Sequence, residues 1–159
     1  MKKITLLIVD DHPLFRQGVV DALALEADLQ VVGQTSSGSE ALELIRLLKP
    51  AVAVLDVNLP GINGQQITYQ VTQEKLSTRV LLVTGYDDVE QALHAALAGA
   101  AAYCSKNIEP QNLVQIIREV AEGKFIFGAR TLNQRELDGW VSEQMEGMRR
   151  AYSEPGSVL

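Results

Sequence analysis

Five short apolar runs, rich in leucine and β-branched residues, recur along the first two-thirds of the chain: Ile4 to Val9, Gln30 to Gly33, Val52 to Leu55, Val80 to Val83 and Ala101 to Cys104. The stretches between them follow a helical period instead. Leu113, Ile116, Ile117 and Val120 fall at i, i+3, i+4 and i+7, which makes one buried stripe on a surface helix. Another helix is expected over about 88–98. Strand-length apolar runs alternating with amphipathic helices predict an α/β domain with a parallel sheet wrapped by helices. Ser37-Gly-Ser-Glu40 has capping-box spacing, so a helix is expected to start there and run to about Lys49, with Pro50 marking its end.

After Phe127 the pattern changes, and no further strand is expected. Leu137, Val141, Met145, Met148 and Tyr152 form an i, i+4-like stripe with Trp140 beside it, the signature of one amphipathic helix. Gly139 and Gly147 weaken such a helix by about 1 kcal/mol each relative to alanine. It therefore needs a partner surface, either its own domain or a second copy in a homodimer. Ser153 to Ser157 reads as flexible linker. The chain thus divides into a domain over 1–127 and a helical tail over 128–159.

Composition narrows the function. With 47% apolar and 21% charged residues, the 159-residue chain builds a core and dissolves, and nothing in it spans a membrane. Its 20 acidic residues outnumber 14 basic ones, a poor endowment for gripping a nucleic-acid backbone unaided. The single cysteine, Cys104, can form neither an internal disulfide nor a thiolate metal site, which agrees with a reducing compartment. Lys2, Lys3 and the run to Val9 imitate a signal peptide, but the run is too short and ends in acids. A cytoplasmic protein is expected.

Open parallel sheets place their ligand crevice at the carboxyl ends of the strands. Those ends carry Asp10 and Asp11, Asp56, Thr84 and, just past the last, Lys106, whereas the second strand ends in Gln34 and Thr35. Three carboxylates held together repel unless a cation neutralises them, and an oxygen-only set suits a hard divalent ion such as Mg²⁺. Lys106 could supply an ammonium, Thr84 a hydroxyl and one carboxylate a nucleophile, the components of phosphoryl transfer. Pro60 and Gly61 in the loop after Asp56 mark a turn expected to leave that side chain exposed. His12 and His94 have no partner legible in the sequence and read as surface or local hydrogen-bonding residues.

Asp10-Asp11, Asp56 in L-D-V-N-L-P-G-I-N-G, Thr84 in L-L-V-T-G-Y-D-D and Lys106 in A-Y-C-S-K together resemble the receiver domain of two-component response regulators, over about residues 4–125. V-D-D-H-P-L-F-R-Q-G from Val9 to Gly18 is similar to the NarL/FixJ (LuxR-type) subgroup. The resemblance implies a (βα)5 flavodoxin-like doubly wound sheet of strand order 2-1-3-4-5, here with an extra C-terminal helix. It implies that Asp56 accepts phosphate from a sensor histidine kinase, and that Asp11, Asp56 and the Asn58 carbonyl bind Mg²⁺ with Asp10 helping through water. Thr84 would close on the phosphoryl group, Tyr103 would be a switch aromatic, and Lys106 would pair with phosphoryl oxygens. Members of the subgroup usually continue into a helix-turn-helix domain, so regulation of transcription is expected through a DNA-binding domain absent from this chain. Asn107, Cys104 and Gly85 depart from the usual pattern without removing a reacting group.

Two other readings compete. A phosphate-independent receiver would act only as a protein-binding module. An aspartyl-phosphate phosphatase of the haloacid-dehalogenase type would want an acid two residues after the nucleophile, where Asn58 stands. A receiver would be no enzyme beyond catalysing its own phosphorylation and dephosphorylation.

Overall fold

A computed structural model describes residues 2–85 and 88–153. In chain order the elements are β1 (Ile4–Val9), α1 (Pro13–Ala24), β2 (Leu29–Thr35), α2 (Gly38–Leu48), β3 (Val52–Asp56), α3 (Gly64–Gln73), β4 (Arg79–Thr84), α4 (Val89–Ala98), β5 (Ala102–Ser105), α5 (Pro110–Ala121), β6 (Phe125–Phe127), β7 (Arg130–Leu132) and α6 (Gln134–Ser153). The sheet runs β2-β1-β3-β4-β5-β6-β7, parallel throughout except for the final β6–β7 pair. The first five strands thus have the expected flavodoxin-like order.

Because β3 lies inside the sheet, between β1 and β4, with helices on both sides, all five of its residues are buried. One core packs α1 and α5 on one face through Val19, Leu23, Leu113 and Ile117. The other packs α2, α3 and α4 through Ala41, Ile45, Ile67 and Leu93. The Leu113, Ile117 and Val120 stripe is buried as its period predicts, with Ile116 half-buried beside it.

Helix termini follow local side chains more than the expected motif. Ser37 caps α2 by accepting from the Glu40 N–H at 3.4 Å, but among the described residues Glu40 returns no bond, so only half of a capping box forms. Complete boxes occur instead at Asn63 with Gln66 and at Asn133 with Glu136, where each side chain accepts from the other residue's backbone N–H. α2 ends where expected, at Leu48 with Lys49 as a left-handed C-cap just before Pro50.

Beyond β5 the structure corrects the sequence reading. Phe125–Phe127 and Arg130–Leu132 form an antiparallel hairpin, so strand structure continues past Phe127 and the expected division falls inside the turn. Gly128 and Ala129 both adopt positive φ, the geometry that two-residue hairpin turns require. Three-residue strands are too short to show a period of two. The tail helix then lies against α4 and β7. Leu137 and Trp140 enter the same core as Phe127 and Leu132, with Val141 and Met148 at its margin, while Met145 and Tyr152 face solvent. Trp140 stacks on Phe127 at a ring separation of 5.4 Å. Docking on its own domain therefore accounts for the first half of the stripe. Of the expected flexible segment, Ser153 ends α6 and residues 154–157 lie outside the described residues.

Candidate functional site

Strand register delivers the polar residues to one end of the sheet. Asp10 follows β1 and stays in it through an N–H bond to the Thr35 carbonyl, while Asp56 closes β3 and the next residue, Val57, donates to the Val83 carbonyl. Thr84 pairs with Ser105 across β4 and β5, and its carbonyl accepts from the Lys106 N–H at 2.8 Å, which fixes the lysine backbone beside the end of β4. Gly64 lets α3 start hard against this end. A Cβ there would meet the Asp56 carbonyl oxygen at 2.5 Å and Val57 Cα at 3.0 Å.

The side chains converge tightly. Lys106 Nζ lies 2.9 Å from Asp56 Oδ2 and 2.9 Å from Asp10 Oδ2, and 4.9 Å from the centre of the Phe15 ring. Asp56 Oδ1 accepts from the Asn58 N–H at 3.0 Å. Asp10, Asp11, His12 and Asp56 each offer one ligand atom within 4.8 Å of the others. Three carboxylates thus face one ammonium. Asp10 Oδ2 is buried, makes no hydrogen bond of good geometry, and meets the lysine as its ion-pair partner. Surplus negative charge, oxygen donors and an under-satisfied buried carboxylate fit a hard divalent cation.

Electrostatics reflect the crowding. Burial raises the Asp56 pKa, and the Lys106 and Asn58 hydrogen bonds only partly offset it while Asp10 adds repulsion. Burial alone would lower Lys106, but its bonds to Asp56 and Asp10 outweigh that and hold the ammonium above its usual value.

One expectation fails here. Asp56 is not exposed: only 1% of its surface reaches solvent, because Asp10, Lys106 and the loop backbone crowd over it. His12 is exposed and bonds locally, as read, with Nδ1 3.1 Å from Asp10 Oδ1 and 3.3 Å from Asp11 Oδ1, and it also reaches Lys106 Nζ at 3.0 Å, a contact the sequence does not announce. Its position directly after two strand-end acids is the signal for the local bonds. His94, on α4, makes no ion pair among the described residues.

Thr84 and Tyr103 are both buried and, with Val57, Asn58, Asp88 and Gln91, line a cleft of about 280 Å³ next to the carboxylates. The cleft joins the Asp56 loop to the first turn of α4, where Asp88 caps the helix by accepting from the Gln91 N–H.

The family model "Response regulator receiver domain" matches residues 6–118. This chain belongs to the response regulator receiver family. It is 39% identical over 123 residues to a Mycobacterium tuberculosis protein described as "Probable transcriptional regulatory protein NarL", covering 77% of this chain and 57% of that protein. The solved signal receiver domain of the Mycobacterium tuberculosis NarL superposes with a TM-score of 0.76 at 39% identity, covering 77% of this chain and 99% of that one. Response regulator GacA of Pseudomonas aeruginosa is 34% identical over 151 residues, which is 95% of this chain and 71% of that protein, so its similarity extends through the β6–β7 hairpin into α6. The chain spans just over half the length of NarL-type relatives, 57% and 56% in two cases. This receiver is therefore of the NarL type within the LuxR family, in the two-component class whose relatives include transcription regulators. No helix among its described residues is long and apolar enough to cross a membrane.

Proposed function

We propose that this receiver takes a phosphoryl group from a sensor histidine kinase onto Asp56 and converts it into a changed partner surface. The observation that carries this reading is the placement of Asp56. It ends β3, a fully buried strand, with Lys106 at 2.9 Å and two further aspartates within ligand distance. An Asp56 carboxylate oxygen attacks the phosphorus of a phosphohistidine, the P–O bond forms as the P–N bond breaks, and the imidazole leaves with the kinase. Lys106 releases part of its hold on Asp56 and pairs with phosphoryl oxygens, and Thr84 donates its hydroxyl to another. Mg²⁺ bound by Asp11, Asp56 and the Asn58 carbonyl, with Asp10 behind a water, would supply charge neutralisation at the phosphoryl oxygens. Arg16 steadies the site by donating to the Asp10 carbonyl at 2.6 Å.

Phosphorylation adds about 1.5 to 2 negative charges and three acceptor oxygens at Asp56. Thr84 is drawn toward them, and Tyr103, sharing its cleft, repacks as the first turn of α4 shifts. Since α6 lies against α4, the signal reaches the tail. Switching from mostly off to mostly on takes roughly 5 kcal/mol of differential stabilisation, within reach of a few charge-assisted bonds. Output would be transcriptional, through a DNA-binding domain joined after α6, in the cytoplasm, with a second copy of the chain as one candidate partner. Catalysis is confined to the protein's own aspartyl phosphate.

Incubation with Mg²⁺ and acetyl phosphate followed by intact-mass measurement tests the reading. One phosphoryl group per chain, hydroxylamine-sensitive and absent from D56N, is expected. Undiminished labelling of D56N would refute it, and many turnovers per chain would return the phosphatase reading.

A further inference from the structure

At the opposite end of the sheet, where β4 begins, a second cleft of about 270 Å³ opens between the end of α3 and the start of β6. β4 is six residues long, so this cleft lies about 17 Å from Thr84. Thr72, Lys75, Leu76, Ser77, Arg79 and Phe125 are among its lining residues, and none of the lining residues is acidic.

Arg79 is the central feature. Its Nη2 donates to the Lys124 carbonyl oxygen at 2.8 Å, and the guanidinium lies 4.6 Å from the centre of the Phe125 ring. These contacts fix its plane and leave most of its five N–H donors unused. Nε is buried without a hydrogen-bond partner among the described residues. Arg46 and Arg118, by contrast, both meet carboxylates. Burial pushes the Arg79 pKa down with no acid to offset it, yet a guanidinium keeps its proton. A half-buried cation that lacks a counter-charge is costly, and an anion in the cleft would relieve it. Lys75 lines the same cleft, is exposed, and joins no ion pair among the described residues. Ser77 adds a hydroxyl, and Leu76 and Phe125 form an apolar wall.

A planar fork beside an ammonium and a hydroxyl suits a carboxylate or phosphate, and the apolar wall suits a short hydrocarbon body. We propose that this cleft binds a small organic anion, its carboxylate or phosphate head held between Arg79 and Lys75 and its body against Leu76 and Phe125. The proposal is independent of the chemistry at Asp56.

Backbone-amide NMR titration of the whole chain in EDTA tests it, using benzoate, phenyl phosphate and neutral benzamide as probes. Benzoate or phenyl phosphate should produce saturable shifts at Lys75, Ser77 and Arg79, in the millimolar range or tighter, while Asn58 and Lys106 stay still. Either anion alone would identify the head group preferred. Benzamide should give none. K75G should weaken binding about tenfold, as expected for loss of one charged hydrogen bond. The variant should unfold no earlier than the parent, because Lys75 has φ of 54°, a left-handed conformation that glycine adopts freely. R79M should abolish the shifts. Three results would overturn the proposal: no saturable shift with either anion, benzamide binding as well as benzoate, or K75G binding like the parent. Any of them would leave Arg79 as a strut between β4 and β6.

Discussion

Two ion clusters in this protein have opposite characters. At the α1–α5 seam, Arg118 spans Asp28 through Nε at 2.9 Å and Glu26 through Nη2 at 2.7 Å, in reach of water. The hydrogen bond from Arg118 lowers the Asp28 pKa and outweighs the opposing effect of burial. At the strand ends, one lysine faces three carboxylates, and burial raises Asp56. The first cluster relaxes into its fold. The second holds negative charge that the fold alone does not neutralise, and such electrostatic conflict is the mark of a site awaiting ligands.

Removing the one cation should break the second cluster. In metal-free buffer at neutral pH, K106M should lose about 2 to 3 kcal/mol in urea unfolding, because Asp10 and Asp56 are left buried without a counter-charge. A divalent cation should restore part of it. No loss would mean that water already neutralises the acids.

Removing one of the repelling acids should have a smaller effect of opposite sign. D56N should gain about 1 to 2 kcal/mol under the same conditions, since desolvation and the Asp10 repulsion disappear together. A destabilised D56N would show that the Lys106 bond dominates.

Acid sharpens the contrast, because the two kinds of carboxylate respond in opposite directions. The pKa of Asp56 is raised in the folded state, so its ionised form costs stability above that value and the cost vanishes as pH falls through it. The D56N advantage should shrink accordingly. Glu74, hydrogen-bonded by Arg46 and Gln70, is lowered from 4.5 to about 2, so it contributes stability above pH 4.5 that is lost as pH falls toward about 2. E74Q should therefore start less stable than the parent and converge on it in acid. Parallel urea titrations of both variants would reveal a shared sign, which would refute the distinction.

The smallest effect belongs to the exposed seam. R118M should lower stability slightly, less than K106M does, and added salt should diminish the difference. A salt-independent loss would instead point to packing of the arginine stem against α1.

Much of this was legible in the sequence because β1, β3 and β4 are buried on both faces, and a run such as Val52 to Leu55 has no other reading. Asp10, Asp11, Asp56, Thr84 and Lys106 were legible for a related reason: each lies within two residues of the end of an apolar run. What escaped notice depends on three-dimensional neighbours. The Phe125–Phe127 and Arg130–Leu132 strands have three residues each, too few for a period. His12 reaches Lys106, beyond its local bonds to Asp10 and Asp11, only because β5 brings that lysine alongside β1. The burial of Asp56 follows from the same convergence, which a turn motif does not encode. The boxes at Asn63 and Asn133 did carry a local signal, an Asn three residues before Gln or Glu.

The stacked Trp140 has a further consequence. The chain contains a single tryptophan, and its indole nitrogen lies 3.7 Å from where a side chain on Gly128 would begin, within the seam that seals α6 to the sheet. Its fluorescence therefore originates wholly at that seam. Emission that reddens when the helix peels away, and stays constant while it holds, gives a built-in optical gauge of whether events at the far carboxylates loosen the tail.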